Sequence, residues 1–229
     1  ICSELKLAKE QITARLDARD IAIENFLQGM PSGSGISGRF NLNANADGPI
    51  TAPKSQLSAN VDQFVLRYKP EEEEPAIEFP AEFTLQADSN GKQAKMQSRF
   101  TLGEFGRFEA RASASSLDAN GQLEGRIDSQ FSNLQWLGAI LPQLEKLDGQ
   151  LSSQVALGGT LTQPTAQGDL NLTQLKMDVP DIGLQLRNGD VALAMDAQSQ
   201  WRLNARVDSK DSQLEMDGSG SLLGSNGPE

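Results

Sequence analysis

Arg39-Phe-Asn-Leu-Asn-Ala-Asn-Ala46 places an apolar side chain at every second position, with asparagine or arginine between. A period of two is the spacing of a β-strand with one buried face and one wetted face. Helices repeat apolar residues every three to four positions, and this stretch does not.

The same alternation recurs on both sides of it. Ile12, Ala14 and Leu16 precede it; Leu57, Ala59 and Val61, then Ala81, Phe83, Leu85 and Ala87, follow. Met96, Ser98, Phe100 and Leu102 form another set, as do Phe108, Ala110, Ala112 and Ala114. Further on, the inward positions read Leu123, Gly125, Ile127, Ser129 and Phe131, then Leu151, Ser153, Val155 and Leu157. The series closes with Val191, Leu193 and Met195, with Trp201, Leu203, Ala205 and Val207, and with Leu214 and Met216. The pattern predicts roughly 13 to 16 short strands.

Turn chemistry agrees. Asn-Gly stands at 90–91, 120–121 and 188–189, and Asp-Gly at 47–48, 148–149 and 217–218. Both dipeptides tolerate the positive φ of tight hairpins, so all six are read as turns between antiparallel strands. Their loose recurrence points to a meander that adds strands one after another.

Two segments break the rule. Pro70-Glu-Glu-Glu-Glu-Pro75 sets four like charges between prolines, which reads as a solvated loop or as a docking point for a basic partner. In Asn133-Leu-Gln-Trp-Leu-Gly-Ala-Ile-Leu-Pro142 the apolar spacing turns helical and a proline ends it. A short helix there would cap the sheet edge or plug an open trough.

The 229-residue chain carries 31 acidic and 20 basic residues, a formal net charge of −11, with 5% aromatics and 21 glycines. Scattered, outnumbered basic residues do not make a nucleic-acid surface, and the acidity disfavours docking on anionic headgroups. Uncharged acyl chains are not excluded by it.

There is no histidine. The usual general base, the serine and cysteine dyads and most zinc sites go with it. Cys2 alone permits no intrachain disulfide and reads as a free thiol. No phosphate-binding glycine loop, cofactor motif or calcium-loop spacing is present. Acidic residues such as Asp118, Glu124, Asp128, Asp169 and Asp178 fall on outward positions or turns, where solvated carboxylates are ordinary. The reading is a non-catalytic protein with no cofactor and no metal.

No apolar run reaches the roughly 18–20 residues of a membrane-spanning helix. The chain opens on Ile1 and ends on Gly224-Ser-Asn-Gly-Pro-Glu229, as a piece of something longer, so an anchor or targeting signal is expected outside it.

A sheet of this many strands must shelter its apolar face. About 14 strands at ~4.8 Å spacing span some 65 Å. Many inward residues are small (Ala110, Ala112, Ala114, Ser129, Ser153), so a curled trough with an open interior fits better than a sandwich packed shut. Such a groove would accept an acyl chain, where burying ~16 methylenes at about 0.8 kcal/mol each offsets most of the cost of leaving a membrane. The lining expected of this groove is Leu123, Ile127 and Phe131; Leu151, Val155 and Leu157; Leu170 and Leu172; Val191, Leu193 and Met195; Trp201, Leu203 and Val207; and Leu214 and Met216.

The run Leu134-Gln-Trp-Leu-Gly-Ala-Ile-Leu-Pro142, Leu147-Asp-Gly-Gln-Leu151, Leu157-Gly-Gly-Thr-Leu-Thr-Gln-Pro164, Gly168-Asp-Leu-Asn-Leu172 and Val179-Pro-Asp-Ile-Gly-Leu-Gln-Leu186 resembles the C-terminal domain of the TamB family, the inner-membrane-anchored subunit of the translocation and assembly module. On that resemblance the chain divides into a β-repeat region, 1–115, continuous with a TamB-C-terminal-like region, 116–224, and a tail, 225–229. The resemblance implies an all-β, elongated, U-shaped antiparallel sheet (a β-taco) with an apolar interior and one short helix. It implies a periplasmic location for this segment, in a full-length protein anchored in the inner membrane. It further implies a partner of the TamA-like Omp85 outer-membrane barrel type, and a cargo of phospholipid or of unfolded outer-membrane protein such as an autotransporter. A structural β-solenoid spacer, or a module that binds unfolded strands by β-augmentation, is the alternative.

Overall fold

The computed structural model describes residues 1–26, 35–69, 75–141, 145–179, 183–198, 200–209 and 213–221. Within them the chain forms one antiparallel sheet of 13 strands in sequence order, each paired with the strand before and after it. In the first half these are β1 (Cys2–Ala8), β2 (Gln11–Ala22), β3 (Gly35–Pro49), β4 (Lys54–Tyr68), β5 (Ile77–Asn90), β6 (Ala94–Leu102) and β7 (Gly106–Ala114). The second half continues with β8 (Leu123–Phe131), β9 (Glu145–Gly159), β10 (Pro164–Val179), β11 (Leu184–Met195), β12 (Gln200–Ser209) and β13 (Gln213–Ser221). Two short 3₁₀ helices interrupt them, η1 (Ile23–Phe26) and η2 (Gln135–Ala139). Among the described residues β1 and β13 are the outermost strands, and the sheet does not close. The four-glutamate segment and the whole of the tail, 225–229, fall outside the described residues.

Strands run from 7 residues in β1 to 16 in β10, longer than an average strand. The long ones bend. Register shifts occur in β2 between Ala18 and Ile21, in β3 between Ser37 and Arg39, and in β4 between Val61 and Phe64. A second group falls in β10, between Thr173 and Lys176 and again before Asp178, and in β11 between Leu186 and Asn188. Asp20, Gln63 and Gln174 sit in these bulges with φ of 55, 52 and 56°. Side chains of the next strand hold two of them: Asn41 Oδ1 accepts the Asp20 N–H at 3.0 Å, and Asp190 Oδ1 accepts the Gln174 N–H at 3.2 Å. Bulges raise local twist and bend the strand that carries them.

The turn dipeptides divide into two sets. Asn90-Gly91 and Asn120-Gly121 make hairpin turns, and Asn90 Oδ1 accepts the N–H groups of Lys92 and Gln93 at 2.9 and 2.8 Å. Asp47-Gly48 lies in the last residues of β3, just before its turn. Asp148-Gly149, Asn188-Gly189 and Asp217-Gly218 lie inside β9, β11 and β13, contrary to the turn reading. There the missing side chain admits a neighbour: a Cβ on Gly218 would stand 3.2 Å from the Trp201 ring.

The predicted helix is the five-residue η2. Leu137 N–H bonds to Leu134 O at 3.0 Å and Ile140 N–H to Leu137 O at 2.9 Å, while Asn133 Oδ1 accepts the Gln135 N–H at 2.7 Å. It sits on the apolar face. Leu66, Phe79, Leu102, Leu134 and Ala139 are nearly or fully buried around it, with Tyr68, Phe131, Leu147 and Leu175 close by. Trp136 stacks at 5.6 Å from Phe100 and 5.3 Å from Phe131.

That packing reports the curvature. In a flat sheet β4 and β9, five places apart, would stand about 24 Å from each other. Both contact η2, whose five residues span about 10 Å. The sheet therefore curls around its apolar face into a trough, and η2 fills part of one side.

Candidate functional site: the apolar face of the trough

Strand register lines the inward residues up in rows that cross the whole sheet. One row runs Ile21, Phe40, Val61, Phe83, Phe100, Phe108, Ser129, Ser153, Leu170, Leu193, Leu203 and Gly218 from β2 to β13. The adjacent row runs Ala18, Leu42, Ala59, Leu85, Ser98, Ala110, Ile127, Val155, Gly168, Met195, Trp201 and Gly220 across the same strands. Neither row contains a charged residue. Directly paired residues of an antiparallel ladder point to the same face, so each row is a continuous apolar stripe.

All sixteen residues expected to line the groove fall on this one face. Leu170, Leu193 and Leu203 belong to the first row; Ile127, Val155, Met195 and Trp201 belong to the second. Phe131, Leu151, Leu172, Val191 and Met216 make a third on one side. Leu123 and Leu157 lie on the other side, and Val207 faces Leu214 beyond the third row. Their environments differ. Phe131 is buried, Leu214 and Met216 on the outermost strand β13 are exposed at 64% and 51%, and the rest are half-buried.

Two inward serines have a local solution. Ser129 and Ser153, on β8 and β9, hydrogen-bond to each other at 2.7 Å, so neither hydroxyl burdens the stripe. The outward face is polar and ion-paired: Arg126 to Asp128 at 2.7 Å, Arg99 to Glu109 at 3.2 Å, Arg206 to Glu215 at 3.8 Å. The Arg126 guanidinium holds the Asp128 carboxyl below the usual carboxylate range. The Ser116 hydroxyl and the Asn120 N–H do the same for Asp118 in its turn. Asp178 keeps to the outward face but is shielded there. It is 7% exposed, and it reaches Arg187 Nη1 at 3.5 Å. Its register partner is Gln185, and the adjacent Met177 is the residue that packs against the inner cluster.

Composition by position did not disclose the packed end of the trough. Leu66, Tyr68, Phe79, Leu102 and Leu147 were not among the expected lining residues, yet they make the densest part of the inner face. A signal was available: nine of the twelve aromatics lie between Phe64 and Trp136.

Among the described residues no group of three or more Asp, Glu or Cys side chains could hold a metal ion, and no helix is long and apolar enough to cross a membrane.

A family model described as the TamB N-terminal domain matches residues 1–172. The chain belongs to the TamB family. Among curated proteins, the translocation and assembly module subunit TamB of Haemophilus influenzae is 24% identical over 164 residues. That match covers 71% of this chain and 13% of the relative, so the chain spans a small part of that protein's length. No solved structure matches significantly. The region differs from the expectation drawn from residues 134–186: the match is to the N-terminal domain, not the C-terminal one. The physical reason lies in the string itself. Leu-x-Gly-x-Leu and Gly-Thr-Leu-x-x-Pro are strand alternation plus turn chemistry, which any stretch of such a sheet repeats.

Proposed function

We infer that this segment is a non-catalytic stretch of a TamB-family trough whose apolar face carries phospholipid acyl chains between the inner and outer membranes. The observation that carries the reading is the pair of uncharged stripes crossing twelve strands without a break while most of their side chains stay half-exposed. A folded core would bury those leucines and valines fully. A structural spacer would pack its interior shut; among the described residues the large buried side chains gather around η2. A trough that holds hydrocarbon needs a wettable outside, an uncharged inside and no fixed well, and the two faces supply these.

On this reading the segment lies in the periplasm, within a full-length protein anchored in the inner membrane by sequence outside it. Its outer-membrane partner is a TamA-like Omp85 barrel. A second role, assisting assembly of outer-membrane proteins such as autotransporters, draws on the exposed part of the same face. Leu5, Leu7, Leu214 and Met216 stand exposed on the apolar face, where the apolar side chains of an unfolded chain could rest.

Expression of residues 1–229 in the periplasm, purification without detergent and mass spectrometry of extracted lipid tests the first role. Phospholipid in near-stoichiometric amount supports it. A lipid-free, folded protein that captures unfolded outer-membrane polypeptide instead supports the second.

A further inference from the structure

The trough is not uniform across its width. On one side η2 sits on the sheet, and the side chains around it are sealed: Leu66 and Phe79 are each 1% exposed, Leu102 and Ala139 0%. On the other side the inward positions of β4 to β9 are Leu57, Ala87, Met96, Ala112, Gly125 and Leu157, a single row by register. That row is open. Met96 is 41% exposed on the inner face, and with Leu57, Ala87, Ala112, Ala114 and Leu123 it borders a depression of about 350 Å³. Between the two sides stands the aromatic row Phe83, Phe100 and Phe108, tied to η2 through Phe100 and Trp136.

We propose that η2 is a fixed side wall that divides the trough and confines acyl chains to one lane, the row Leu57–Ala87–Met96–Ala112–Gly125–Leu157 and its neighbour Ala59–Leu85–Ser98–Ala110–Ile127–Val155. This deepens the acyl-chain reading and rests on it. Three features select hydrocarbon as the occupant. The lane has no charged side chain, which suits an uncharged chain and repels headgroups into the mouth of the trough. Half of its residues are Ala, Gly or Ser, which leaves room for the depression that β4 to β8 border. Finally, every strand from β4 to β9 is hydrogen-bonded on both sides. An unfolded polypeptide lying here would find no free edge and would leave its own N–H and C=O groups unpaired, whereas an acyl chain has none to pair. Polypeptide cargo needs a free strand edge; hydrocarbon belongs in the lane.

The lane also has a defined extent. From β4 to β9 it covers about 24 Å measured along the sheet, and over that stretch the sealed side offers no alternative path.

The test uses the full-length protein in cells whose phospholipids carry ³²P. A benzoylphenylalanine photo-cross-linker is placed at Leu57 or Met96 in the lane, and at Phe79 or Phe131 on the sealed side, where an aromatic replaces an aromatic. Labelled adducts at Leu57 and Met96, at least tenfold above those at Phe79 and Phe131, are the expected result. Adding Trp136→Ala should raise the Phe131 adduct towards the lane value, because the wall is then breached. Equal adducts on both sides of the intact protein would overturn the confinement while leaving the acyl-chain reading standing. No adduct at any of the four positions would overturn that reading, and the lane with it. A Phe131 signal unmoved by Trp136→Ala would show that η2 is not what excludes the lipid.

Discussion

Gly138 lies flat against the ring of Tyr68: a Cβ added to it would fall 2.3 Å from Tyr68 Cε2. That contact seats η2 on β4. Gly138→Ala forces the ring or the helix to move, an overpacking cost of about 1–3 kcal/mol. Urea denaturation of the domain should show the loss as a lower midpoint. Gly183→Ala, at a glycine with nothing within 4 Å of a built Cβ but φ of +66°, should cost only the backbone penalty of about 1 kcal/mol.

The inward serine pair gives a second measurement. Ser153 is 8% exposed and its hydroxyl meets only that of Ser129 among the hydrogen bonds described. Ser129→Ala leaves a buried hydroxyl unpaired and should destabilise by about 1–2 kcal/mol. Replacing both serines with alanine should cost less than the two single changes together, so a double-mutant cycle should return a coupling of about 1 kcal/mol.

Bulge geometry predicts a gain. Gln63 holds φ of 52° in the β4 bulge, a conformation that costs a side chain about 1–2 kcal/mol. Gln63→Gly relieves it at the expense of unfolded-chain entropy of about 0.5–1 kcal/mol. Thermal melting should therefore show a variant as stable as the parent or slightly more so, where a glycine elsewhere in a strand would lower it.

Acid should loosen the turn that Asp118 organises. Asp118 is held below its ordinary range chiefly by the Ser116 hydroxyl at 2.6 Å, then by the Asn120 N–H at 2.9 Å. Its folded-state pKa is lower than its unfolded one, so the stabilisation is complete above the ordinary carboxylate range. It fades as pH falls through the folded value, below about pH 4. Melting temperatures of the parent and of Asp118→Asn should differ at pH 7 and converge at pH 3.

Strand order and the two faces were legible in the sequence because both depend on local alternation. Arg39 to Ala46 announces β3, and the register then places its apolar residues in stripes shared with β2 and β4. The glycines misled for a physical reason. Gly149 and Gly218 serve close approach inside strands, and the dipeptide alone does not separate that use from a turn. The bulges at Asp20, Gln63 and Gln174 left no mark either, since none is a glycine. The longest strands, β4 and β10 at 15 and 16 residues among them, run through these bulges, which let a strand continue past a bend that would otherwise end it. The sealed side of the trough needs contacts between β4, β6, β8 and η2, which lie far apart in sequence and carry no shared period.

The central claim is that the apolar face is the working surface. Leu203 and Asn204 are neighbours on β12 that point to opposite faces, with Leu203 opposite Leu193 and Asn204 opposite Ala192. The direct measurement is outer-membrane integrity in cells that depend on full-length protein carrying Leu203→Asp or Asn204→Asp, with both variants confirmed folded and equally abundant. The trough account predicts a leaky, detergent-sensitive outer membrane for Leu203→Asp and a normal one for Asn204→Asp. Equal integrity in the two strains would contradict it.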